Sequence, residues 1–74
     1  MKDATDRQLE VLEFMRRYQR EQGMPPTLRE ISDEFGWSSH YTAVCVVRSM
    51  VRKGLVTHRR GIARAYIAKQ PEVA

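Results

Sequence analysis

Apolar positions recur every three or four residues in three stretches of the chain, and each stretch carries its own start and stop signals. Over residues 8 to 21, Val11, Phe14, Met15 and Tyr18 form one stripe with Leu12 at its edge, while Glu10, Glu13, Arg16, Arg17 and Arg20 point elsewhere. Thr5 and Gln8 precede this helix at capping-box spacing, and Gly23 is placed to end it. Pro25 and Pro26 impose an extended connection. Thr27 and Glu30 repeat the capping box, and Leu28, Ile31 and Phe35, at i, i+3 and i+7, predict a second, short helix over residues 28 to 35 that Gly36 terminates. In the third stretch, over residues 39 to 52, Ser38 or Ser39 supplies the N-cap and Gly54 the stop. Ala43, Val46, Val47, Met50 and Val51 share its core side; Tyr41, Cys45, Arg48 and Arg52 form a stripe on the opposite side.

After Gly54 the periodicity shortens. Residues 55 to 59 and 64 to 68 read as strands pairing antiparallel around residues 60 to 63, with Gly61 permitting positive φ in the turn. A two-stranded hairpin is marginal alone in water, so it must lean on the helices, through Leu55, Val56, Tyr66 and Ile67. Trp37 falls between the second and third helices as an apolar plug. A two-turn helix, a glycine-containing turn, and a longer helix with a basic outer stripe make a helix-turn-helix; the basic hairpin makes a wing. The predicted fold class is α+β, mainly α: a three-helix winged helix-turn-helix over residues 1 to 69, with a C-terminal two-stranded β-hairpin wing and a disordered tail over residues 70 to 74.

Charge gives this fold a direction. Residues 1 to 34 carry six basic and eight acidic side chains, whereas residues 35 to 71 carry seven basic ones (Arg48, Arg52, Lys53, Arg59, Arg60, Arg64 and Lys69) and no acid. The acid-free half contains the candidate recognition helix, so one face is expected to meet a polyanion. Seventy-four residues fit one small domain. The single cysteine excludes an internal disulfide, His40 and His58 lack companions at zinc spacing, and no apolar run has the length of a signal peptide or a bilayer span. The expected setting is a reducing cytoplasm, with no metal, no cofactor, no membrane contact and no small-molecule substrate. Nucleophile elbow, P-loop and paired-carboxylate motifs are absent, which speaks against an enzyme.

Three groups of residues carry a more specific likeness: Arg7-Gln8 with Glu10-Val11-Leu12 and Phe14; the linker Gly23-Met24-Pro25-Pro26-Thr27 with Arg29-Glu30-Ile31; and Arg52-Lys53-Gly54-Leu55 with Arg64 downstream. Over about residues 4 to 67 the chain resembles the DNA-binding domain of LexA repressors. The resemblance implies a winged helix-turn-helix that binds double-stranded operator DNA as a dimer, in bacterial SOS-type regulation. It maps base reading onto Ser39, Tyr41, Thr42, Val44 and Cys45, to which the outer stripe adds Arg48. Phosphate contacts are expected from Thr27, Arg29, Ser38, His40, Arg52, Lys53, Arg59, Arg60 and Arg64. LexA proteins normally continue into a self-cleaving, dimerising domain, so the expectation here is a stand-alone DNA-binding domain that forms at most a weak homodimer on DNA.

In typical LexA proteins the reading region is polar, with an Asn and an acidic pair. Here Tyr41, Val44 and Cys45 favour apolar contact, such as with a thymine methyl, so the target sequence is expected to differ from the usual LexA operator. The competing reading is a protein-interaction module on a winged-helix scaffold, in which Val44 and Cys45 face a partner. Against it stands the simpler placement of Val46 and Val47 in the core with Val44 at its border.

Overall fold

The computed structural model describes residues 5–61 and 64–69. Three helices come first, α1 (Asp6–Gln22), α2 (Leu28–Phe35) and α3 (His40–Arg52), followed by strands β1 (Val56–His58) and β2 (Tyr66–Ala68). Both predicted capping boxes close. Thr5 Oγ1 accepts from Gln8 N at 3.1 Å and Gln8 Oε1 from Thr5 N at 3.1 Å; Thr27 Oγ1 accepts from Glu30 N at 3.0 Å and Glu30 Oε1 from Thr27 N at 2.9 Å. Each box satisfies two donors that a helix start would otherwise leave unpaired.

Gly54 ends α3 at φ 80°, letting Leu55 N–H reach back to Met50 O at 2.9 Å and Gly54 N–H to Val51 O at 3.0 Å. This pairing turns the chain sharply into β1. A similar turn at Gly36, where Trp37 N–H donates to Ser32 O at 3.0 Å, separates α2 from α3.

The core lies where the three helices and the sheet converge. Val11, Leu12, Phe14 and Met15 come from α1, Ile31 from α2, Val47 and Met50 from α3, and Val56 and Ala68 from the wing. Ala43 is buried as well, and Val46 and Val51 pack partly exposed against the cluster, so the predicted core side of α3 holds. Trp37 stacks on Phe35 at 5.3 Å between centroids, and Phe35 meets Phe14 edge-on at 5.8 Å. The turn therefore has its apolar plug. Arg7 lies over the Trp37 ring at 5.6 Å.

The wing is shorter than predicted. Among the described residues, Val56 with Ala68, Thr57 with Ile67 and His58 with Tyr66 pair in the antiparallel register. Just outside them, Arg59 N–H donates to Ala65 O at 2.8 Å and Lys69 N–H to Leu55 O at 3.1 Å. Leu55, Val56 and Tyr66 lean on the helices as expected, but Ile67 does not join the core; Ala68 does, with Val56 opposite. Side chains alternate across a sheet, so once Val56 points inward its partner Ala68 follows, and Ile67 turns to the other face. Residues 62 and 63 of the predicted turn, and the predicted tail over residues 70 to 74, lie outside the described residues. No helix among the described residues is long and apolar enough to cross a membrane.

Among the described residues one buried side-chain polar atom lacks a partner: the Ser32 hydroxyl, on a residue only 5% exposed. A buried hydroxyl without a hydrogen bond costs about 1–3 kcal/mol of desolvation. Ser32→Ala should therefore raise the urea midpoint of unfolding, by roughly 1 kcal/mol of stability.

Candidate nucleic-acid interface

Helix phase decides what the outer side of α3 presents. With Ala43, Val47 and Met50 buried, the stripe of Tyr41, Cys45, Arg48 and Arg52 is turned outward, and all four are exposed, Tyr41 at 71%. With half-buried Val44 they line one shallow depression along the helix. Ser39 is the N-cap: its Oγ accepts from Tyr41 N–H at 3.1 Å, which sets where α3 begins. Ser38 and His40 flank it, both exposed, while Thr42 is half-buried. The neighbouring Cys45 thiol pushes the Tyr41 phenol's ionisation upward against the opposing pull of Arg48. The phenol therefore stays neutral through ordinary pH.

A second hollow, of about 510 Å³, runs from α3 to the wing and is lined by Leu28, Val44, Arg48, Val51, Arg52, His58, Arg60 and Tyr66. Arg48, Arg52 and Val44 line both hollows, so the outer side of α3 continues into the wing without a break. Its lining combines apolar Leu28, Val44 and Val51 with three arginines. Arg59 and Arg60 are exposed on the wing, and Thr27 and Arg29 sit at the start of α2, where the Thr27 hydroxyl accepts the capping bond and keeps its own proton to donate.

His58 and Tyr66 are candidate-site residues that periodicity missed. They are cross-strand partners with rings stacked at 4.5 Å and 8°, forming the wing's wall of this hollow. The signal that finds them is the strand register, which three paired positions leave weakly specified.

Two predicted phosphate contacts are turned inward instead. Arg64 is only 28% exposed and grips Glu30 through both prongs, Nη1 to Oε1 at 2.7 Å and Nη2 to Oε2 at 3.1 Å. Its charge is neutralised within the fold, because the wing doubles back over the start of α2, where Glu30 is the nearest acceptor. Lys53 Nζ donates to Gln8 Oε1 at 2.8 Å, and Gln8 Nε2 donates to Ser49 Oγ at 3.0 Å. Buried Gln8 therefore serves both the α1 cap and the end of α3, and Lys53 is anchored toward α1.

The Glu30 carboxyl is pulled from its ordinary 4.5 down to about 2, chiefly by Arg64 and then by the Thr27 N–H. A carboxyl with a depressed folded-state pKa stabilises the fold above its unfolded pKa, and that contribution fades as pH falls through the folded value. The stability gap between wild type and Glu30→Gln should accordingly be full at pH 5 and shrink steadily toward pH 2, as read from urea midpoints.

A short first helix-turn-helix member, a Gly36–Trp37 turn, an outward-facing second member and a two-stranded appendage rimmed by arginines define a winged helix-turn-helix domain. The model of the LexA DNA-binding domain matches residues 1–65, and the chain belongs to that family. It is similar to the LexA repressor of Verrucomicrobium spinosum, with 42% identity over 69 residues that cover 93% of this chain and 33% of that protein. The LexA repressor of Halorhodospira halophila is 44% identical over 64 residues, covering 86% and 28%. That of Leptospira interrogans serovar Lai is 40% identical over 65 residues, covering 88% and 32%. The chain spans about a third of the length of these curated relatives.

Proposed function

We propose that this chain is the sequence-reading domain of a transcriptional repressor, placing α3 in the major groove of double-stranded DNA. The observation that carries this reading is the outward side of α3, where Tyr41, Val44, Cys45, Arg48 and Arg52 line one surface in a half of the chain that holds no acid before Glu72. Base edges would meet Ser39, Tyr41, Thr42, Val44, Cys45 and Arg48. Thr27, Arg29, Ser38, His40, Arg52, Arg59 and Arg60 would meet phosphates, which position a protein without specifying sequence. Arg48 presents a guanidinium that can bond a guanine bidentately, whereas Val44 and the Tyr41 ring suit a thymine methyl.

One module of this size covers only about 600–1,000 Å² of DNA-facing surface, so useful affinity calls for two copies on neighbouring half-sites. Selection from a randomised duplex library at two salt concentrations tests the reading. A two-fold symmetric motif containing thymine at the Val44 and Tyr41 positions is the expected result. Salt-sensitive retention with no motif would reduce the protein to a nonspecific binder, and no retention at low salt would favour the protein-interaction module.

A further inference from the structure

Arg64 holds its backbone at φ 55°, the left-handed region that residues with a Cβ seldom occupy, and it alone does so among the described non-glycine residues. Such a conformation persists where the surroundings over-determine it. Here they do. Beyond the two-pronged bond to Glu30, Arg64 Nη1 reaches Pro25 O at 3.0 Å and Tyr18 Oη at 3.4 Å. These acceptors lie on three separate segments: the later half of α1, the linker and the first turn of α2. Glu30 meanwhile still accepts from Thr27 N–H, so the carboxylate that caps α2 also clamps the wing.

The consequence concerns spacing. The start of α2 carries Thr27 and Arg29, the wing carries Arg59 and Arg60, and both border α3, since Leu28 and the wing's His58, Arg60 and Tyr66 share a hollow with Arg48 and Arg52. Phosphates along a duplex are regularly spaced, so groups held in advance at a matching separation bind without a further ordering cost. A wing with three paired positions has little rigidity of its own. We propose that Glu30 and Arg64 are a positioning pair for DNA recognition: their bidentate bond fixes the wing against the start of α2, so that the phosphate contacts on either segment seat α3 in a single register. This rests on the DNA-binding reading above.

The pair makes predictions that a phosphate-contacting Arg64 does not. Glu30→Gln keeps an acceptor for Thr27 N–H and nearly the same shape, and removes the charge that Arg64 grips. Arg64→Gln removes the other partner. Affinities of wild type, both single variants and the double variant are measured on the duplex enriched by selection and on a scrambled duplex of equal length, at two salt concentrations. The temperature is one at which circular dichroism shows all four folded.

The expected result is that either single variant lowers the ratio of selected to scrambled affinity roughly tenfold, and that the double variant is no worse than the singles. The salt slope of Arg64→Gln on scrambled DNA stays at the wild-type value. Three results overturn the proposal. If Arg64→Gln weakens both duplexes equally and flattens the slope by about one while Glu30→Gln does neither, Arg64 touches phosphate itself. If every ratio is unchanged and only the melting temperature falls, the pair is purely structural. A wild-type chain that does not discriminate between the duplexes removes the DNA-reading function, and the pair's role with it.

Discussion

Met50→Ala should lower the stability of the domain by about 2–5 kcal/mol while leaving the DNA affinity of its folded fraction at the wild-type level. Met50 is fully buried on the core side of α3, in the cluster shared by all three helices and the wing. Truncating it removes apolar contacts and leaves a cavity that a close-packed interior fills only in part. In a domain whose total stability is of order 5–15 kcal/mol, that is a large share. Each kcal/mol shifts the melting temperature of a chain this size by roughly 4–8 °C, so thermal unfolding should move down by at least about 8 °C. The cap at Ser39 and the turn at Gly54 are untouched, so the surviving helix still presents its outer stripe. Denaturation by urea, followed by duplex titration well below the melting point, separates the two effects.

The opposite side of the same helix should respond in the opposite way. Arg48→Ala removes an exposed side chain, so its stability should stay within about 0.5 kcal/mol of wild type. Affinity for the selected duplex should fall by about 1–3 kcal/mol, roughly five- to 150-fold, with preference relaxed at the base pair that Arg48 reads. Arg60→Ala provides the contrast, weakening selected and scrambled duplexes about equally and reducing the salt slope by about one. Titrations of both variants on both duplexes check the assignment. If Arg48→Ala behaves as Arg60→Ala is expected to, Arg48 belongs with the phosphate contacts rather than with the base readers.

The backbone plan was legible because its signals are local. Thr5 with Gln8, Thr27 with Glu30, and the glycines at 36 and 54 act within a few residues, and each produced the predicted cap or turn. The phase of α3 was equally readable, since a 13-residue helix sets its core and outer sides several times over. The wing was less so. Alternation over three residues fits either face, and the choice between Ile67 and Ala68 was made by the hydrogen-bonded register with β1.

The inward turn of Arg64 was hidden for a different reason. An arginine beside a basic tip reads as a phosphate contact when only neighbouring charges are counted, yet its partner Glu30 lies 34 positions earlier in the chain. A long flexible side chain is directed by whatever acceptor the fold brings within reach. Lys53 illustrates the same effect, drawn to Gln8 across 45 positions. Gln8 itself was legible as half of a capping box, but not as the buried amide that also receives the end of α3.

The most direct test of α3 as the reading element is a titration of ¹⁵N-labelled protein with the selected duplex, followed by backbone amide shifts. The largest changes are expected at Ser38 to Arg48, with smaller ones at Thr27, Arg29 and His58 to Arg60, and none along the outward side of α1 at Glu10, Glu13 and Arg20. Changes centred on Leu9, Phe14 and Phe35, in the hollow between α1 and α2, with α3 unmoved, would contradict it.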